Sequence, residues 1–237
     1  MKYILTFLAY FLVLIPVQSQ NYAKIFDTDY KDAINYFKTN KATLSNGFRA
    51  YNIDLELASS TVFPERIRYS IVKDFFETAY LEVFYVENGS DEVDFSIGDF
   101  QIKPSFAEKV EFVVKYNPIL KNKYTKLLYN NKLNIKQIRT TRVKRLKNLE
   151  YQIIYISAFC DIVKIKFRIE NMPKNEKIKF YATAYNFGFD KSEKTIKNHI
   201  NDMFFPYGGK YPGKQYSYSN ISVYFYKSNF YSIFNAK

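Results

Sequence analysis

Two short blocks far apart in the chain hold the side chains best suited to chemistry: residues 96–106, reading SIGDFQIKPSF, and residues 182–187, reading ATAYNF. In the first, Gly98 removes a side chain where backbone can come close to a ligand, and Gln101 offers an amide that both donates and accepts hydrogen bonds. In the second, Tyr185 supplies a ring and a hydroxyl beside the amide of Asn186. Two carboxyls lie upstream. Glu65 follows the apolar run 57–63, 33 positions before Gly98, and Glu87, in Glu87-Asn88-Gly89, stands 11 positions before it. Other chemistries are poorly supplied. One Cys, Cys160, and one His, His199, exclude a His/Cys zinc cluster and an intrachain disulfide. A Ser-His-Asp triad would have to use His199, in a polar stretch. The seven glycines form no phosphate-cradling loop, and no cofactor is expected.

The pattern G-x-x-Q-x-x-P followed downstream by A-Y-N resembles the paired active-site signatures of lytic transglycosylases and goose-type lysozymes. The match covers residues 55–106 and 179–226 and leaves the middle third unexplained. What the resemblance implies is a secreted enzyme cutting the MurNAc-GlcNAc bond of peptidoglycan with a single Glu, which acts first as acid and then as base. On that footing Glu65 is the catalytic residue, with Glu87 the alternative, and Ser96, Gly98, Gln101, Tyr185 and Asn186 contact the glycan. Such an acid must stay protonated near neutral pH.

Transglycosylase chemistry is the first expectation, the sugar's own 6-hydroxyl closing an anhydro ring. Inverting hydrolysis would need a second carboxylate about 6.5–9.5 Å from the acid, and Asp94 and Asp99 flank Gly98. An inactive glycan-binding protein of the same fold is the rival reading. The family's G-L-M-Q stands here as Gly98-Asp99-Phe100-Gln101 and its E-S as Glu65-Arg66. An inward-pointing Arg66 would lower a neighbouring carboxyl pKa.

The elements that must position these residues read as helices. Residues 1–19 have the form of a secretory signal peptide: Met1-Lys2, an apolar run 3–17, and a small residue, Ser19, at the cleavage position. Cleavage there predicts a periplasmic or secreted location and one domain over residues 20–237. Without Lys2 the formal charge is 34 − 23 = +11, which attracts polyanions, after export wall polymers, anionic lipids or DNA; the partners expected with the resemblance are peptidoglycan glycan strands and anionic wall or membrane surfaces, with no nucleic acid, for a monomer.

A short helix is expected over 30–37, then a turn at Ser45-Asn46-Gly47. Pro64 should interrupt the apolar segment 51–63 and open a helix running to about 86, with Ile67, Ile71, Phe75 and Ala79 on one face. Pro104-Ser105 opens another helix, which ends before Asn117-Pro118. The basic run 136–147, with Arg139, Arg142 and Arg145 every third residue, reads as an exposed positive stripe. It grades into an amphipathic helix from Leu146 through Ile153, Ile156 and Cys160 to Phe167. A helix carrying Tyr185-Asn186 stops at Gly188, and Ser192 caps a helix expected to reach Met203. The aromatic tail 216–234 fits helix or strand, and helix is adopted from the resemblance. Together these give a mainly α chain, and the resemblance implies that it is a lysozyme-like helical domain with an inserted helix and an elaborated middle region.

Overall fold

The computed structural model describes residues 20–72 and 78–235. The signal-peptide expectation, and the placement of Phe75 and Phe76, fall outside the described residues. The architecture is mainly helical, as the patterning predicts. Among the described residues no helix is long and apolar enough to cross a membrane.

At the N-terminal end, helix α1 (Tyr22–Thr39) is kinked at Asp27, where the backbone is not helical, and beyond the kink it buries Tyr30, Ala33 and Phe37 along one stripe, spaced three and four apart as a helix requires. It is much longer than the 30–37 segment anticipated. Helix α2 (Lys41–Ala50) follows at once and runs through Ser45-Asn46-Gly47, where a turn was expected. The reason is tertiary. A Cβ on Gly47 would lie 2.9 Å from the Ile153 side chain, so the glycine lets two helices touch.

Helix α3 (Leu55–Val72) passes straight through Pro64, and this corrects the expected break. Pro64 removes one backbone donor, yet residues 57–65 are all buried, and packing on every side holds the helix together. Asp54 caps its first turn by accepting from the Leu57 N–H at 3.1 Å. Glu65 consequently sits inside a helix rather than in a first turn. Helix α4 (Thr78–Asn88) comes next, and the continuity expected of one helix from 64 to 86 falls on residues outside those described.

Helix α5 (Pro104–Tyr116) begins at Pro104 and is followed by the short α6 (Pro118–Lys123), capped by Asn117. Helix α7 (Ile135–Leu146) starts with a capping box of Asn134 and Gln137. The expected continuous helix across 146–167 is broken at Asn148, whose side chain accepts from the Tyr151 N–H at 3.1 Å and starts α8 (Leu149–Lys166). Helix α8 is buried over residues 152–160 with no gap. It is a central core helix rather than an amphipathic one.

Helix α9 (Lys174–Phe187) stops at Gly188, whose φ of 132° suits only glycine. Ser192 caps α10 (Glu193–Asn198), accepting from the Thr195 N–H. That helix ends early: Met203 opens strand β1 (Met203–Phe205), which pairs antiparallel with β2 (Tyr216–Ser217). The aromatic tail then folds as α11 (Tyr218–Phe225), a π-helical stretch (Tyr226–Phe230) and α12 (Tyr231–Phe234). Phe225 closes the core over α1 and α3, its ring 4.0 Å from that of Phe63 and 5.3 Å from that of Phe37.

The basic run is not the exposed stripe that its spacing suggested. Arg142 is buried, donating from Nε to the Glu111 oxygens at 3.1 and 3.0 Å, and from Nη1 to Glu108 at 3.0 Å and the Tyr85 hydroxyl at 2.5 Å. Arg139 donates to the carbonyls of Val86 and Glu87 at the end of α4, where unpaired carbonyls and the helix dipole favour a cation. Arg145 holds the Leu127 and Leu128 carbonyls and lies over the Tyr129 ring. These arginines tie α7 to its neighbours.

Candidate functional site

Glu65 projects from the middle of α3 into the interior and is 2% exposed. Burial raises its carboxyl above the usual carboxylate range, opposed mainly by the charge of Arg68. Both carboxyl oxygens accept from Arg68 Nη1 at 2.8 Å, and the Tyr218 hydroxyl is a further hydrogen-bond partner. Three-residue spacing on one helix brings Glu65 and Arg68 to the same face.

Arg68 is itself held from three directions. Its Nη2 donates to Asn186 Oδ1 at 3.2 Å and its Nε to the Pro206 carbonyl at 3.2 Å, while the guanidinium lies 5.0 Å from the Phe205 ring centroid. Asn186 comes from α9 and Pro206 from the segment after β1. The ion pair therefore joins three regions remote in sequence.

The first block reaches the same place through Tyr185. Its hydroxyl donates to the Phe100 carbonyl at 2.6 Å, and its ring packs on Phe106 and Phe159. Burial, and then the nearby charge of Glu65, push the Tyr185 phenol well above its ordinary pKa; burial and Glu65 do the same to Tyr218. Tyr218 also donates to the Thr61 carbonyl at 3.0 Å, one turn before Glu65. The two sequence blocks thus converge beside one buried carboxyl.

Within the first block, residues 97–102 form a tight loop closed by a bridge between Ile97 and Ile102. Gly98 has φ +72°, and a Cβ there would stand 2.3 Å from the Leu146 carbonyl and 2.5 Å from the Gln152 amide. The space that the glycine leaves is filled by protein. Gln152 also accepts from the Phe100 N–H at 2.8 Å. The Gln101 side chain donates to the Gly98 carbonyl at 2.9 Å and so closes its own loop. Ser96 is half-buried just before the bridge. Gly98, Gln101 and Ser96 shape the loop that Tyr185 holds; Glu65, Arg68, Tyr185, Tyr218 and Asn186 surround the carboxyl.

No family model, curated protein or solved structure matches this chain.

The other acidic candidates are engaged elsewhere. Glu87, at the end of α4, is half exposed and paired with Lys136. Asp94 receives the Ser105 N–H and hydroxyl at 3.0 and 2.7 Å, capping α5. Asp99 pairs with Arg66 at 2.9 Å. Arg66 is stacked over Tyr36 and Tyr69, so the arginine acting on Glu65 is Arg68. The i,i+3 spacing of Glu65 and Arg68 was the available signal for it.

His199, which a Ser-His-Asp triad would have to use, is engaged locally. Its Nδ1 lies 2.5 Å from Asp202 Oδ2, and its ring stacks on Phe187 with centroids 3.8 Å apart. His199 and Asp202 line a cavity of about 20 Å³ together with Asn186 and Tyr218, a volume suited to about one water. The hydroxyls of Ser217 and Ser219 bond to each other and to the Ile200 carbonyl, so no serine nucleophile faces the imidazole through them. Among the described residues no cluster of His, Cys, Asp and Glu could hold a metal ion.

Proposed function

We propose that this chain is a glycan-cleaving enzyme of lysozyme-like architecture, acting on the MurNAc-GlcNAc bond of peptidoglycan, with Glu65 as the proton donor. The observation that carries the reading is the meeting of the two blocks at one desolvated carboxyl: Arg68 bonds both Glu65 and Asn186, and Tyr185 joins the same cluster to Phe100. A carboxyl whose pKa is raised by burial is suited to protonate a leaving glycosidic oxygen and then to take a proton back. In this reading Arg68 releases one carboxyl oxygen as glycan binds, and Asn186 and the Pro206 carbonyl keep the guanidinium close to the carboxylate that forms.

Transglycosylation is favoured over hydrolysis because Asp94 is committed to Ser105 and Asp99 to Arg66, which leaves neither in place to activate a water. The substrate's own 6-hydroxyl then closes the anhydro ring, its proton passing to Glu65.

The test is incubation of purified sacculi with the protein, followed by mass spectrometry of the released and retained glycan. Anhydro ends are expected, and Glu65→Gln should lower their formation by at least about a hundredfold with circular dichroism unchanged. Reducing ends would redirect the mechanism to hydrolysis. One observation favours a second reading, a non-cleaving glycan binder: Arg68 donates to both oxygens of Glu65, an arrangement that favours the ionised carboxyl and works against the effect of burial. Sacculi bound but left uncut by the wild-type chain would decide for it.

A further inference from the structure

The exposed surface of α5 and α6 is unusual in its side chains. Phe112, Tyr116 and Ile119 are 64%, 64% and 72% exposed, and Ile165 of α8 is 54% exposed. Phe112 and Ile165 both line a cavity of about 790 Å³ between α5 and α8, with Val113, Leu120, Ile162 and Phe189 among its other apolar walls. Large apolar side chains grouped in this way on an exterior mark an interaction site rather than chance exposure.

Lysines surround the group. Lys109, Lys115 and Lys121 are exposed along the same two helices, and Lys164 and Lys166 flank Ile165. No Asp or Glu occurs anywhere in residues 112–149. Lys109 is paired with Asp190, and Lys166 donates to the Phe189 and Lys191 carbonyls, so the positive charge toward solvent comes chiefly from Lys115, Lys121 and Lys164.

We propose that this α5–α6 face docks on an anionic lipid bilayer, with Phe112, Tyr116 and Ile119 entering the interfacial region and the lysines meeting lipid phosphates. Aromatic and aliphatic side chains interleaved with lysines are what such an interface selects, because apolar insertion and attraction to anionic headgroups add. The surface does not include Glu65 and stands independently of the glycan reading. Its lysines are also distinct from the arginines that tie α7 to its neighbours.

The chain contains no Trp, so Ile119→Trp introduces a single local reporter. On vesicles of phosphatidylglycerol and phosphatidylcholine its emission should shift to the blue, and on phosphatidylcholine alone the shift should largely vanish. Within that background, Lys115→Gln and Lys121→Gln should each lower the partition coefficient by about fivefold. Raising ionic strength should weaken binding in the same direction. Tyr211→Trp, outside the patch, should keep its emission unchanged and so controls for adsorption through another part of the chain. An Ile119→Trp emission that stays unshifted on anionic vesicles would overturn the proposal. So would equal shifts on both vesicle types, an equal shift at position 211, or a vesicle-independent shift that grows with protein concentration, which would assign the face to a second copy.

Discussion

Burial and Arg68 pull the Glu65 carboxyl in opposite directions, burial the more strongly. Burial favours the neutral carboxyl, and the guanidinium at 2.8 Å favours the charged one. A general acid works only while protonated, so activity should be lost as pH rises through the Glu65 pKa. Removing the neighbouring positive charge takes away the chief influence that lowers this pKa. Arg68→Gln should therefore move the alkaline limb of the pH-rate profile upward, measured on a soluble glycan fragment. An alkaline limb that stays in place or moves downward would show that Arg68 does not govern the titration. The motif residues themselves divide by role at this scale: Tyr185 and Asn186 reach the carboxyl cluster, while Gly98 and Gln101 build the loop beside it.

Among the elements, α7 departs furthest from its sequence pattern. Three arginines at three-residue intervals promise a solvated face, but Arg142 is 5% exposed and meets Glu111, itself 8% exposed. Burial pulls the guanidinium pKa down, yet hydrogen bonds and the charge of Glu111 raise it overall. Removing one partner of such a pair leaves the other buried and unpaired. Arg142→Gln should thus cost about 3–5 kcal/mol, read as a lower urea midpoint with an unchanged slope. The triple replacement of Arg139, Arg142 and Arg145 by Gln, which an exposed stripe would tolerate, should prevent folding instead of merely weakening attachment to a charged surface. A variant melting like wild type would restore the solvated-stripe reading.

Across the whole molecule, the C-terminal segment closes the N-terminal half. Tyr30 donates to Asn229 at 2.6 Å, Tyr224 to Asn21 at 2.9 Å, and Tyr231 to Glu56 at 2.9 Å, and the Phe225 ring stacks on Phe63 at 4.0 Å. Glu65 is enclosed by the same closure, since Tyr218 belongs to α11. Phe225→Ala should cost about 3–5 kcal/mol through lost contacts and the cavity left behind, measured by chemical denaturation. If the tail were an accessory, the loss would stay below about 1 kcal/mol.

The amino-acid sequence alone determined the mainly helical class and the local punctuation: the starts at Pro104 and Ser192 and the stop at Gly188. These follow from short-range chemistry, a missing N–H, a capping hydroxyl and a positive φ, which neighbouring residues suffice to express. The carboxyl at Glu65 and the two motif blocks were legible as residues. Tertiary structure decided what they touch. Burial on all sides carries α3 through Pro64, the approach of Ile153 keeps Gly47 helical, and carboxylates remote in sequence draw Arg142 inside. The pairing of Arg68 with Asn186, and the arrival of Tyr218 and Pro206 beside it, depend on segments more than 100 positions away. Such contacts gain their energy only when the chain has closed, and no local propensity encodes them.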